Sequence, residues 1–341
     1  MLKTKISKNF FYFIVSTIIL SLVVGLRGST RDTLVYVEIF NNIESYDLLN
    51  PISFYHESGV EYTYGILAFL FNIFTESYRF FFIFYSFITF YFLYKINELF
   101  KYNYIVFLLI YLTSQYFALF QFMQIRQGLA LAIAFYASLI FLNKKNNFRF
   151  IILGLVAIFT HQTAFVVLAI NIIFKFFVNN FDVNKTLFRL NSVFIVLLSF
   201  LLSKYVLQDF LISKSSRVET YSEWDEYSSS LDFFRPANIK SIFLLILFIL
   251  FVNIKDKFLI LLVYLYCVSV GFRFGFSDFS ILSGRLAVSF AMGELWLMIS
   301  IITRFKRWWF ILLICYIIIQ AVITYGYQAN YIFYDYFKSL K

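Results

Sequence analysis

Three arginines mark the ends of long apolar runs, and their chemistry is the simplest to name. Arg27 closes the first run, Arg126 begins another, and Arg285 begins a third. Arginine is always charged, and its planar fork of N–H donors matches the oxygens of phosphate and pyrophosphate. For any single arginine near the end of a span, snorkelling to lipid headgroups is the ordinary alternative. Three arginines at one predicted depth favour a pyrophosphate-binding group.

A histidine is the candidate for moving a proton. His161 lies in residues 159–164, which read Phe-Thr-His-Gln-Thr-Ala, between two apolar half-segments. Because its unperturbed pKa is about 6.5, a neutral imidazole can take a proton from a hydroxyl group and a protonated one can hold a phosphate. A helix cap or a hydrogen bond in the core is the ordinary explanation of His161, and it stays open at this point.

Two further arginines enlarge the predicted cationic group. Arg31 follows Arg27 by about one helical turn, and Arg273 lies on the predicted outer loop that precedes the third arginine. An ion pair of Arg31 with Asp32 or Glu61 is the simpler alternative for that residue.

Glu294 is a carboxylate in an apolar setting. It falls inside the predicted span 285–302. An ionisable side chain within a membrane is expensive and faces the protein interior with a partner, so we expect Glu294 to balance one of the arginines.

Other kinds of chemistry find little support. The cysteines, Cys267 and Cys315, both fall in predicted spans, and the only histidines are His56 and His161. These residues form neither a disulfide framework nor a zinc motif, and the sequence has no Gly-rich phosphate loop. We therefore expect no metal, no cofactor and no nucleotide substrate.

The elements that position these residues are membrane helices. The sequence is 61% hydrophobic and 14% charged, whereas a soluble domain has about 25% charged residues. The apolar runs predict an all-α polytopic membrane protein of about nine to eleven transmembrane helices plus half-helices, forming one domain over residues 1–341. The predicted spans are 10–26, 78–94, 103–120, 126–142, 190–207, 239–253, 258–271, 285–302 and 308–325. Residues 62–75 read as a re-entrant half-helix, and 149–178 as a hairpin that turns at His161.

The distribution of charge sets the orientation. Basic residues gather in alternate loops, which predicts a cytoplasmic N-terminus by the positive-inside rule and explains the net charge of +10 without nucleic acid. The first apolar run is interpreted as a retained helix, since no small-residue cleavage site follows it. Outer segments are then the loops 27–61 and 208–237 and the tail 326–341. Carboxylates and aromatic residues between Arg217 and Arg235 suit sugar rings, although they are also typical of a solvated loop.

A family resemblance joins several of these residues. Residues 25–27, 124–130 and 157–164 read Gly-Leu-Arg, Gln-Ile-Arg-Gln-Gly-Leu-Ala and Ala-Ile-Phe-Thr-His-Gln-Thr-Ala, and Asp32 and Tyr36 follow the first motif. In these motifs and in its span pattern, the chain resembles the EpsG-like branch of the Wzy-type bacterial polysaccharide polymerases. For the fold, the resemblance is compatible with a GT-C-like arrangement of the helices.

The resemblance implies a polymerase in the bacterial inner membrane. Such an enzyme joins oligosaccharide repeat units carried on undecaprenyl pyrophosphate, works at the outer face among membrane lipids, and can have a chain-length regulator as a partner. The resemblance implies that Arg27, Arg126 and Arg285 hold the pyrophosphate, while His161 and Asp32 are the candidate bases. The alternatives are a ligase that moves finished polymer, a flippase of lipid-linked sugars, a membrane acyltransferase and an assembly role. Binding groups at the outer ends of spans speak mildly against the flippase, which is expected to place them near the midplane.

Overall fold

Helices form almost all of the described chain. The computed structural model describes residues 7–143, 147–180, 184–214 and 233–340, and no strand occurs in these ranges. Helices satisfy every backbone hydrogen bond internally, as a lipid environment requires. The predicted all-α class is confirmed. In chain order the helices are α1 (Lys8–Gly25), α2 (Thr33–Asn41), α3 (Pro51–Ser58), α4 (Tyr62–Phe74), α5 (Tyr78–Phe100), α6 (Tyr104–Thr113), α7 (Gln115–Phe122), α8 (Ile125–Leu142), α9 (Asn147–Thr160), α10 (Thr163–Asn180), α11 (Lys185–Leu202), α12 (Gln208–Lys214), α13 (Pro236–Phe251), α14 (Lys257–Gly275), α15 (Ser280–Ala291), α16 (Glu294–Arg304), α17 (Trp309–Ala321) and α18 (Tyr331–Tyr336).

The lengths of the helices fit a polytopic membrane protein. Among the described residues, 6 helices are long and apolar enough to cross a bilayer, or up to 8 if each of two bent pairs is one span. Helices α4, α9, α10 and α13 are apolar but shorter. The predicted nine to eleven crossings include some of these shorter helices, so the number of crossings stays a prediction.

Two spans predicted as continuous are broken. The predicted span 103–120 bends by 77° where α6 meets α7, because Ser114 adopts an extended backbone there. The predicted span 285–302 bends by 49° between α15 and α16, next to Gly293. The predicted break at His161 is confirmed, because α9 ends at Thr160 and α10 begins at Thr163.

The chain divides into two compact units, and each has one deeply buried helix. Unit 1 comprises Met1–Leu168 and Tyr316–Lys341, and unit 2 comprises Ala169–Cys315. Helix α8 packs against α5, α7 and α9 in unit 1. Gly128 permits the closest of these approaches, because a Cβ there would lie 2.4 Å from the Cβ of Phe120. The predicted single domain stays a prediction.

Unit 2 is built around α14. This helix packs against α11, α13, α15 and α16, and 89% of its apolar window is buried. Every residue from Leu259 to Arg273 is buried, so lipid has little access to α14 on any side. A helix that is apolar all round belongs in such a position.

Some predicted features lie outside the described residues. These are the N-terminal lysines Lys3 and Lys5, the lysines Lys144 and Lys145, and most of the acidic and aromatic loop, since residues 215–232 are not described. The predicted sugar-binding role of that loop therefore stays a prediction.

Candidate active site

Arg27 links the end of α1 to the last turn of α7. Its Nη1 donates to the carbonyl oxygen of Gln121 (2.5 Å), and its guanidinium lies 3.9 Å from the centre of the Phe82 ring. The side chain is 2% exposed, and its Nε and Nη2 have no hydrogen-bond partner in the described part of the chain. Burial lowers the pKa of Arg27 to about 10, although the nearby Tyr36 phenol opposes that shift, so the guanidinium stays charged at neutral pH. Arg27 binds the C-terminal end of α7 in this structure, and its contact with pyrophosphate stays a prediction.

The loop between α1 and α2 is held from two sides. Thr30 Oγ1 donates to the Phe122 carbonyl oxygen (2.7 Å), next to the residue that Arg27 binds. The Gly28 N–H donates to the Tyr336 carbonyl oxygen (2.8 Å) in the C-terminal tail. A Cβ on Gly28 would lie 2.1 Å from the Lys338 carbonyl oxygen, so this approach requires glycine. The loop, the tail and the end of α7 are thus joined within unit 1.

Arg126 lies in the first turn of α8. Its Nε donates to the Tyr36 hydroxyl (3.5 Å), and its guanidinium carbon lies 5.4 Å from the centre of that ring. The preceding residue, Gln124, makes no side-chain capping bond to the helix. A helix N-terminus already has a partial positive charge, and the guanidinium adds to it. This end of α8 therefore favours an anion.

Glu61 is the carboxylate that faces this positive end. Its Oε2 accepts from Arg126 Nη1, and its Oε1 accepts weakly from the Gln162 backbone N–H (3.5 Å). Glu61 precedes α4 but makes no side-chain cap to that helix. Its side chain is 11% exposed and that of Arg126 is 13% exposed. Most of the surface of the two side chains is therefore buried, but a small part of each remains in contact with solvent.

His161 lies beside the same carboxylate. Its Nε2 is 3.8 Å from Glu61 Oε1. Its Nδ1 accepts from the Thr163 backbone N–H (3.2 Å) and lies 2.9 Å from the Thr163 hydroxyl oxygen. Because a backbone N–H can only donate, the neutral ring is assigned its proton on Nε2, which faces Glu61. The helix-cap explanation of His161 therefore holds for Nδ1, while Nε2 faces Glu61 and, through it, Arg126.

Asp32 and Arg31 lie in the loop before α2. Asp32 has a left-handed backbone (φ 62°), its side chain is exposed, and it makes no cap to α2. The Arg31 guanidinium lies 4.6 Å from the centre of the Tyr331 ring in α18. The alternative that Arg31 pairs with Glu61 is wrong, because Glu61 pairs with Arg126. The roles of Asp32 as a base and of Arg31 as a support stay predictions.

The remaining predicted residues belong to unit 2. Arg273 does not lie on an outer loop, as the sequence predicts, but in the last turn of α14, where it is 8% exposed. Arg285 is an exposed residue within α15. Glu294 is buried at the start of α16, and its ion-pair partner is Lys240 Nζ (2.7 Å), whereas the sequence predicted an arginine. The role of Arg285 in binding pyrophosphate and the supporting roles of Arg273 and Glu294 stay predictions.

Sequence reasoning found Arg126 and His161 but did not assign Glu61 to the site. A single acidic residue before an apolar helix is typical of a helix cap, and Glu61 was considered only as a partner for Arg31. The unit brings together Arg126, His161, Glu61 and Tyr36, from four separate parts of the sequence. Within the described residues, no group of three His, Cys, Asp or Glu side chains is arranged to hold a metal. The expected absence of a metal stays a prediction.

Such a cluster can bind an anion and exchange a proton in one place.

Neither the curated proteins nor the solved structures that were compared with the chain gave a match. The model of the EpsG family matches residues 10–337, which is nearly the whole chain. The chain therefore belongs to the EpsG family, the family of Wzy-type polysaccharide polymerases that the sequence motifs resemble.

Proposed function

We propose that this protein is a polysaccharide polymerase with glycosyltransferase chemistry. It joins oligosaccharide repeat units carried on undecaprenyl pyrophosphate at the outer face of the bacterial inner membrane. Membership of the EpsG family supports a polymerase-like role and a lipid-linked oligosaccharide substrate. The undecaprenyl carrier, the outward-facing site and the independence from metal and nucleotide are parts of the proposal.

The arrangement of Arg126, Glu61 and His161 is the observation that carries the proposal. A cation at a helix N-terminus and an imidazole both lie within ion-pair distance of one carboxylate, and each of the three side chains is less than 20% exposed. Glycosyl transfer from a lipid pyrophosphate requires a group that binds the pyrophosphate and a group that accepts a proton. This cluster supplies both without a cofactor.

The chemistry proceeds in one displacement. An acceptor hydroxyl of one repeat unit attacks the anomeric carbon of the other and gives its proton to a base of the cluster, and the bond from that carbon to the pyrophosphate oxygen breaks. The pyrophosphate leaves with the electron pair, and Arg126 together with the N-terminus of α8 stabilises the added negative charge. Preorganised donors aimed at such developing charge contribute about 10²- to 10³-fold each to the rate. His161 orients the reacting groups through its Nε2 proton.

Two other functions use related substrates. A ligase that transfers finished polymer from the same carrier needs the same cation and base, so the cluster is compatible with it. A flippase needs a path for the sugar across the bilayer, and Arg126 lies at the end of α8 instead of its middle. The polymerase is favoured over the ligase because the family is one of polymerases.

The test is a complementation experiment in the native host. The gene is deleted, and the strain is complemented with the wild type, with Arg126→Ala or with Arg79→Ala. Arg79 is a matched control, because it is an exposed arginine of unit 1 in the first turn of α5. We expect the wild type and Arg79→Ala to restore a ladder of surface polysaccharide on a gel, and Arg126→Ala to leave a single capped repeat unit.

Each of the other outcomes has a defined meaning. Finished polymer that stays on the lipid carrier in the deletion strain identifies a ligase. Repeat units trapped on the cytoplasmic side identify a flippase. An unchanged ladder with Arg126→Ala, at wild-type protein levels, shows that the reaction takes place elsewhere in the molecule.

A further inference from the structure

Glu61 occupies the position in which an anionic ligand is expected. Its two carboxylate oxygens interact with the Arg126 guanidinium at the start of α8 and with the Gln162 N–H before α10. The Nε2 of His161 faces the same carboxylate at 3.8 Å. One carboxylate is therefore contacted by a guanidinium from the first turn of α8 and by a backbone N–H just ahead of α10. Phosphate oxygens need the same donors as a carboxylate, so a bound pyrophosphate competes with Glu61 for them.

We propose that Glu61 is the general base of the reaction and that pyrophosphate binding releases it. Without substrate, Glu61 pairs with Arg126 and shields the guanidinium. When the pyrophosphate of the lipid-linked donor binds the Arg126 guanidinium, Glu61 loses its ion pair with Arg126 but stays beside His161. The freed carboxylate then accepts the proton of the acceptor hydroxyl. This inference rests on the proposed function, because it assigns a role within that reaction.

The transfer of the proton to Glu61 accompanies the formation of the glycosidic bond. The acceptor oxygen forms a bond to the anomeric carbon as its proton moves to a Glu61 oxygen. The bond from the anomeric carbon to the pyrophosphate breaks, and the electron pair leaves with undecaprenyl pyrophosphate. When that product departs, Glu61 gives its proton to water and pairs with Arg126 again. His161 is then a positioning residue, since its Nδ1 is held by Thr163 and its Nε2 proton points to Glu61.

The position of Glu61 makes it the better base of the two. The neutral His161 ring accepts the Thr163 N–H at Nδ1 and carries its proton on Nε2, so both of its nitrogens are engaged. A carboxylate has about four lone-pair positions, and Glu61 keeps acceptor capacity after binding one donor. General bases of this kind contribute about 10²- to 10⁴-fold to a rate.

The experiment uses Glu61→Gln, in which binding and turnover should change in opposite directions. Binding of farnesyl pyrophosphate to the purified full-length protein is measured by titration. Turnover is measured in liposomes with lipid-linked repeat units extracted from the deletion strain. Because glutamine removes the competing negative charge, we expect about tenfold tighter binding, while the rate of polymer formation falls at least 100-fold.

Two control variants keep the result interpretable. Glu57→Gln removes an exposed carboxylate of α3 whose hydrogen bond is to Ser53, and it should change neither measurement. Glu61→Asp keeps a carboxylate on a shorter side chain, so it should recover part of the rate that Glu61→Gln loses. Size-exclusion profiles of all variants establish that each is folded.

The outcomes separate the two proposals. Weaker or unchanged binding by a folded Glu61→Gln, together with a lower rate, means that Glu61 only positions Arg126 and overturns the inference. A wild-type rate for Glu61→Gln overturns it as well. If the wild-type protein binds farnesyl pyrophosphate but makes no polymer from the extracted units, the polymerase function fails and the base role falls with it. Tighter binding by Glu61→Gln then still establishes the competition for Arg126.

Discussion

The two units each bury one central helix, and each of these helices has an arginine in a terminal turn, but at opposite ends. Arg126 is in the first turn of α8, where the helix is partly positive, and Arg273 is in the last turn of α14, where it is partly negative. The Arg126 guanidinium adds to the charge of its helix end, whereas the Arg273 guanidinium offsets it. The first arrangement attracts an anion and the second stabilises the helix. An arginine next to an apolar run thus has a role that depends on which end of the helix it occupies.

The carboxylates of the two units differ in the same way. Glu61 is 11% exposed and faces an imidazole as well as a guanidinium, so an incoming anion can displace it. Glu294 is 2% exposed and pairs with Lys240 at 2.7 Å. Removing one partner of so deeply buried a pair leaves the other charge without compensation, which destabilises the fold. The exposure of the unit 1 pair fits the exchange of partners proposed for Glu61, whereas the burial of the unit 2 pair fits compensation of charge within the fold.

The largest expected effect comes from replacing Arg126 with lysine, and the same replacement of Arg273 is its counterpart in unit 2. Arg126→Lys keeps the charge but loses the planar fork, so we expect the rate of polymer formation in liposomes to fall about 100-fold. Arg273→Lys keeps the charge at the end of α14 and should change the rate less than threefold. A similar loss of rate for both variants, at equal folded yield, would mean that Arg273 also binds substrate, and the comparison would be broken.

A smaller effect is expected from removing the buried carboxylate of unit 2. Glu294→Gln leaves Lys240 charged without its ion pair, which should lower the free energy of unfolding by about 3 kcal/mol. The double variant Lys240→Met/Glu294→Gln removes both charges and should recover most of that loss. Thermal unfolding in detergent measures both variants. Full stability of Glu294→Gln together with lost activity would instead place Glu294 in the reaction.

The sequence alone predicted the helices and the two most informative site residues. Arg126 and His161 stand out because a charged or titratable side chain beside an apolar run is unusual, and both occur in motifs that resemble the family. The broken spans were missed because mean hydropathy does not register a bend. Residues 103–120 are apolar on average, and the short polar stretch 113–115, where Ser114 has an extended backbone, interrupts the helix.

The partners of the charged residues were harder to predict than the residues themselves. Glu61 is separated from Arg126 by 65 positions, and Lys240 is separated from Glu294 by 54. No local pattern connects members of such pairs, because they meet only when separate helices pack. Arg273 was placed on a loop because a charge normally ends an apolar run, whereas α14 continues to Gly275 around it.

The smallest expected effect concerns the ion pair between Lys204 and Asp278 in unit 2. The Asp278 side chain is 48% exposed, so this pair is the solvated counterpart of Lys240 and Glu294. A hydrogen bond from Lys204 lowers the pKa of Asp278. In the unfolded chain the pKa of Asp278 has its usual value of about 3.9, and in the folded protein it is lower. The pair therefore stabilises the fold fully above the unfolded pKa, and this contribution is lost as the pH falls through the folded pKa.

Asp278→Asn should therefore lower the free energy of unfolding by less than about 1 kcal/mol at pH 7, and the difference from the wild type should vanish in acid. Denaturant unfolding in detergent at several pH values measures this difference, with Glu294→Gln as the buried reference. Solvent weakens the attraction between exposed charges, whereas a buried carboxylate has no such screening, so the two losses should differ about threefold or more. Equal losses would mean that burial does not distinguish the pairs, and stability in unit 2 would then depend on net charge compensation instead of on the depth at which each pair lies.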